Sequence, residues 1–178
     1  MADSWESLRR ECGQCRACGL ADTRTNVVFG VGATDAEILL VGEGPGQHED
    51  EQGVPFVGLA GQLLDDMLEI IGLDRTKVYI ANIVKCRPKN NRTPTLEEGR
   101  HCADIHLVKE IELVQPKVIV CLGKVAFQYF YGRAASIMRN RGKWFTWRGY
   151  DIMPTYHPAF LLRQTGHELV ESKWQVYY

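Results

Sequence analysis

The sequence predicts an α/β fold, a three-layer α/β/α sandwich with a mostly parallel central sheet, on three observations. Residues 38–41 are an apolar run of strand length that stops at a glycine-rich turn, Gly42-Glu43-Gly44-Pro45-Gly46. Residues 117–122 form a second such run and stop at Gly123. Between them, 58–72 and 96–114 carry helical patterning. Apolar strands alternating with helices pack as a parallel sheet covered on both faces, with a ligand crevice at the strands' C-terminal ends.

Taken in order, residues 5–18 begin as a helix and run into three cysteines, Cys12, Cys15 and Cys18. Residues 27–30 read as a short strand leading to the central one. In the turn that follows, glycines let backbone N–H groups approach a ligand with no Cβ in the way. The carboxylates of Glu43, Glu49 and Asp50 are close by, and Phe56 is an aromatic in a loop between Pro55 and Val57. No Gly-Lys-Ser/Thr follows and acids repel a polyanion, so a phosphate fits poorly. Backbone donors, acids and an aromatic plate suit a flat, neutral, polar ring, and a nucleobase is such a ring.

Residues 58–72 form an amphipathic helix closed by Gly72. Residues 78–84 are the next strand, and Asn82 interrupts its apolar run. A buried amide is costly unless bonded, so Asn82 is either a loop anchor or a ligand reader. Thr95 with Glu98 three residues later is a capping box that starts the helix 96–114. A helix over 124–131 and paired strands over 143–147 and 150–154 follow. His157 then stands at a strand end, before Pro158 and an apolar turn with Leu161, Leu162 and Arg163. Residues 168–178 read as a closing helical segment.

The 178 residues suffice for one domain, 1–178. Without a signal-peptide region or a membrane-length apolar run, the expectation is a cytoplasmic monomer with no membrane partner. Net charge is −1, so the distribution says more than the total. Arg133, Arg139, Arg141, Lys143 and Arg148 follow one another with no acid between them, and Lys85, Arg87, Lys89 and Arg92 form a second basic group. Both groups point to phosphate contacts. Six cysteines in an intracellular chain argue for metal or redox use over disulfides. Two thiolates of the N-terminal run with Cys86 and Cys102 would make four, enough for zinc or a [4Fe–4S] cluster. Spacing does not choose among Cys12, Cys15 and Cys18; Cys121, inside Val-Ile-Val-Cys-Leu, reads as core.

Several motifs in this order, from Cys-Arg-Ala-Cys-Gly-Leu through the turn at 42–46, the Gly-Val-Pro-Phe-Val-Gly loop and the Asn82 strand to Thr-Tyr-His-Pro-Ala-Phe-Leu-Leu-Arg, resemble family 4 of the uracil-DNA glycosylases, the iron–sulfur-containing branch. The resemblance implies release of uracil from single- or double-stranded DNA. It implies Cys15, Cys18, Cys86 and Cys102 as ligands of a structural [4Fe–4S] cluster that ties in the segment 1–25, zinc being the alternative. It implies a uracil pocket of Gly42, Glu43, Gly44, Phe56, Asn82 and His157, with Glu49 crowding the ring's C5 position. Glu43, Asn82 and His157 would carry the chemistry, Asp50 being second choice to Glu43 as the acid. Leu161 and Leu162 would wedge into the duplex, with Arg163, Lys85 and Arg87 at the phosphates and Lys89 beside them. A covalent-adduct-forming branch carries an extra basic, His-containing loop after the Asn strand. Here Cys86 runs straight to Thr95 without it, so turnover is expected, with no trapped adduct.

Overall fold

Four parallel strands form the centre of a six-stranded sheet, and the order in which they are laid down fixes where a ligand can sit. The structure, a computed structural model, describes residues 4–133 and 135–163. Strands β1 (Val31–Gly32), β2 (Ile38–Gly42), β3 (Tyr79–Asn82), β4 (Val118–Leu122), β5 (Phe145–Trp147) and β6 (Tyr150–Thr155) lie in the order β1-β3-β2-β4-β6-β5. The pairs β2/β3, β2/β4 and β4/β6 are parallel, and the edge strands β1 and β5 run antiparallel. The chain passes from β2 to β3 on one side, then crosses β2 to place β4 on the other. The sheet therefore reverses direction of growth at β2, and the crevice of such a sheet opens at the C-terminal end of that strand.

The pleat sorts the core. Leu39, Val41, Tyr79, Ala81, Ile119 and Cys121 belong to one apolar cluster with Leu107, Ile111, Ala126 and Phe127. Those partners come from α5 (Val108–Val114), the helical turn before it, and α6 (Lys124–Tyr131). Leu40, Ile80 and Leu122 belong to another with Leu64 and Leu68 of α3 (Leu59–Ile70). Helices on both faces make the expected three layers. The crossover between β3 and β4 is one continuous helical run: α4 (Leu96–Cys102), capped by Thr95 and Glu98 as expected, a π-helical turn (Ala103–Leu107), then α5.

The expected strand at 27–30 lies one step later, at β1, although Val28 and Phe29 are buried. The helix from residue 5 is α1 (Trp5–Gly13), and the turn after His157 is a helix, α8 (Pro158–Leu162). Two short helices carry no sequence signal strong enough to predict them, α2 (Gln47–Gln52) and α7 (Ile137–Asn140). Gly53 ends α2 in the left-handed conformation that favours glycine. The closing segment 168–178 lies outside the described residues. Among those described, no helix is long and apolar enough to cross a membrane.

Candidate active site

Sheet register brings the predicted residues together. Gly42 and Asn82 are partners at the ends of β2 and β3, and the Gly123 N–H donates to the Thr155 carbonyl (2.9 Å) at the ends of β4 and β6. His157 follows two residues later. Above these ends opens a cavity of about 540 Å³ whose wall includes Glu43, Gly44, Glu49, Lys124, Tyr156 and His157.

Gly42, Phe56 and Asn82 do not themselves line this cavity, whereas His157 does; Gly42, directly before Glu43 of the wall, has no room for a side chain. A Cβ there would lie 2.5 Å from Phe56 Cζ and 2.7 Å from Asn82 Oδ1. Phe56 in turn stacks on His157, with ring centroids 5.5 Å apart. Phe56 and Asn82 thus pack against Gly42, and His157 joins them through Phe56. Asn82 is buried, and its Oδ1 has no hydrogen-bond partner among the described residues. A buried acceptor left bare costs about 1–3 kcal/mol, which a ligand N–H would recover. His157 caps α8, its Nδ1 accepting from the Ala159 N–H (3.0 Å). That bond puts the neutral ring's proton on Nε2. Burial, assisted by the Arg163 charge, pushes the imidazole down to about 4, so it is neutral at physiological pH.

The acids divide. Glu43 lies in the cavity wall, where burial raises its carboxyl above the usual range and Arg163 partly opposes the rise. Glu49 also lines the cavity, and its carboxylate accepts from the N–H groups of Gly46 (3.0 Å), Val57 (2.9 Å) and Gly58 (2.7 Å). It therefore ties the glycine turn to the Phe56 loop. Asp50 does not serve as the alternative acid: it is buried, and its carboxylate accepts from the backbone of Thr25 and Asn26, anchoring the N-terminal segment to α2.

Arg75 had no sequence signal. Its guanidinium donates to the carbonyls of Pro55 and Phe56 and pairs with Asp65. Phe56 sits at φ +55°, a strained setting for a non-glycine residue, and Arg75 is the clamp that holds it. Arg75→Ala should lower turnover at this site several-fold while costing about 1.5–3 kcal/mol of stability, the scale of hydrogen bonds to a charged group. Turnover rates beside denaturant melts check this, and unchanged turnover would remove Arg75 from the loop's support.

At the mouth, two expectations are corrected. Leu161 is fully buried against Leu63 and Met67 of α3, so it anchors α8 and cannot reach DNA; Leu162 is the exposed neighbour. Lys85 is also buried, in the bend that follows β3, where it pairs with Glu110. Arg163 and Lys89 are exposed, and half-buried Arg87 bonds to Asn91 (2.6 Å). Met138, which sequence reasoning passed over, lines the cavity with 83% of its surface exposed. Its signal was present: an apolar residue inside the acid-free basic stretch.

The family model of the Uracil DNA glycosylase superfamily matches residues 29–177. The chain belongs to that superfamily. A relative from Thermotoga maritima named Type-4 uracil-DNA glycosylase is 49% identical over 166 residues, covering 92% of this chain and 86% of the relative. Relatives of the same name from Archaeoglobus fulgidus (46% identical; 90% of this chain, 84% of the relative) and Sulfurisphaera tokodaii (44%; 90% and 76%) extend the likeness.

Below the cavity, this member of the uracil-DNA glycosylase superfamily gathers Cys12, Cys15, Cys18, Cys86 and Cys102 around one small enclosed space, with Arg24, Lys85 and His106. Burial pushes the Cys102 thiol up to about 12 and raises Cys86, so neither is a ready nucleophile. The Lys85 N–H points at Cys102 Sγ (3.4 Å), and Arg24 Nη1 at Cys86 Sγ (3.4 Å) and the Cys15 carbonyl (2.6 Å). Donors aimed at sulfurs are what ligating thiolates require. Among the described residues no three His, Cys, Asp or Glu side chains converge closely enough to share one metal ion. Cys121 is buried in the sheet, away from this group, as expected of a core residue.

Proposed function

We propose that this chain removes uracil from single- or double-stranded DNA by hydrolysing the N-glycosidic bond, leaving an abasic site and no covalent adduct. The observation that carries the reading is the buried, unpartnered Oδ1 of Asn82, aligned with Gly42 and next to the Phe56–His157 stack. Uracil offers N3–H to that oxygen and O4 to the same amide's N–H; cytosine presents the opposite pattern at both atoms. The target base rotates out of the stack, at a cost of a few kcal/mol, and lies against Phe56. Glu49, held rigid by three backbone N–H groups, crowds the ring where thymine carries its methyl. Leu162 and Met138 flank the mouth as apolar wedges, with Arg163, Arg87, Lys89 and the basic residues from 133 to 148 at the phosphates.

Bond cleavage leaves charge on the base at O2 and an oxocarbenium-like sugar. His157 donates its Nε2–H to O2, and the N–H groups of the 42–46 turn add to that stabilisation. Glu43, as a carboxylate, stabilises the sugar cation and orients water. Because its pKa is raised, the rate should fall with acidification at a pH above the usual carboxylate value of 4.5. Glu43→Gln should lose about tenfold or more in rate and lose that acid limb with it; a limb that persists in the variant assigns it to another group.

Cys15, Cys18, Cys86 and Cys102 fit a [4Fe–4S] cluster, which when bound would cross-link the N-terminal segment to the Cys86 loop and α4 without redox work in base removal. Cys12, whose thiol burial also pushes to about 12, packs against Leu8 and Phe29 as core. The protein acts as a cytoplasmic monomer and one domain over 1–178. The decisive experiment is incubation of purified protein with single-stranded and U·G duplex DNA, scored for free uracil. Release of uracil and not of cytosine or thymine supports the reading; inertness on both substrates overturns it.

A further inference from the structure

Excision gives buried His106 no task. His106 is 3% exposed, and neither Nδ1 nor Nε2 has a hydrogen-bond partner among the described residues. Leaving such atoms bare is costly, and native proteins rarely do so without a water, ion or ligand to meet them. The ring lines the same enclosed space as the five cysteines. It stands four residues after Cys102, on the π-helical turn Ala103–Leu107, and such turns recur at functional positions. A histidine ring carries at least one N–H, and here neither ring nitrogen meets a protein partner among the described residues. Two neighbouring sulfurs already receive N–H groups, Cys102 from Lys85 and Cys86 from Arg24.

We propose that His106 donates a hydrogen bond to a sulfur of the iron–sulfur cluster and thereby raises its reduction potential and its resistance to air. The proposal rests on the cluster reading above. A donor to sulfur favours the more negatively charged, reduced state, so removing it makes the cluster easier to oxidise. A water filling the gap beside His106 would satisfy the ring without this consequence.

The test uses the full chain purified without oxygen, as parent, His106→Leu and His106→Gln. Iron and sulfide content, midpoint potential and the rate of visible bleaching in air are measured. Equal iron contents are expected, with a lower potential and several-fold faster bleaching in the leucine variant. Glutamine, whose amide still donates, should stay near the parent. His106→Phe, a ring without nitrogens, repeats the comparison should leucine load poorly. Leucine and phenylalanine variants with the parent's potential and bleaching rate overturn the proposal. A parent carrying zinc, or no iron and sulfide, overturns the cluster reading itself and is seen in the metal content before any variant is compared.

Discussion

Replacing His157 with alanine should slow uracil release by about 10²- to 10³-fold, the usual cost of deleting one donor to a developing oxyanion. The loss should fall mainly on kcat, because charge on O2 develops in the transition state more than in the bound base. Alanine also removes the cap on α8, worth about 1 kcal/mol, so activity and stability must be separated. His157→Asn does this: its shorter side chain accepts from the Ala159 N–H but does not extend as far as Nε2. Asparagine should restore melting temperature without restoring rate. The pH dependence follows from the same bond. With the imidazole at about 4, the neutral donor is present from pH 5 upward, so the rate profile should show no break near 6.5. The unfolded chain, with a His value of about 6.5, takes up the proton first. The stability from keeping this ring neutral is thus complete above 6.5 and is lost as pH falls from there toward 4. A rate break at 6.5 that disappears in His157→Ala would overturn the assignment.

How much of this site could be read from the chain depended on whether a side chain's direction is set locally. Gly42, Asn82 and His157 stand at ends of predicted strands, and strands of a parallel sheet converge there by topology, so their meeting was legible. The choice between Leu161 and Leu162 was not: it depends on the angle at which α8 docks on Leu63 and Met67, a tertiary fact. Lys85 misled for a similar reason. It sits among basic residues next to a cysteine, yet it turns inward to Glu110, which also accepts from Tyr79 (2.5 Å). A buried ion pair between residues far apart in sequence leaves no periodic trace. Asp50 was misread because its partners, the N–H groups of Thr25 and Asn26, are backbone, and backbone donors are invisible in residue identities. Arg75 reaches the Phe56 loop by the same kind of contact.

Asn82→Ala should reduce uracil excision at least tenfold, and the fold should survive it. Alanine removes a buried amide whose Oδ1 has no protein partner, so little native hydrogen bonding is lost. What is lost is recognition: the acceptor for N3–H and the donor for O4, together worth about 1–3 kcal/mol of discrimination. Asn82→Asp should fall further, because two acceptor oxygens would face uracil O4 and an anion would be buried where none is compensated. The ratio of uracil to cytosine release is the sharper readout. A variant that only disturbed the fold would lower both together, whereas loss of the amide should collapse the preference as well as the rate. An alanine variant that keeps the parent's rate and preference would make Asn82 a loop anchor, the reading its position in the strand otherwise permits.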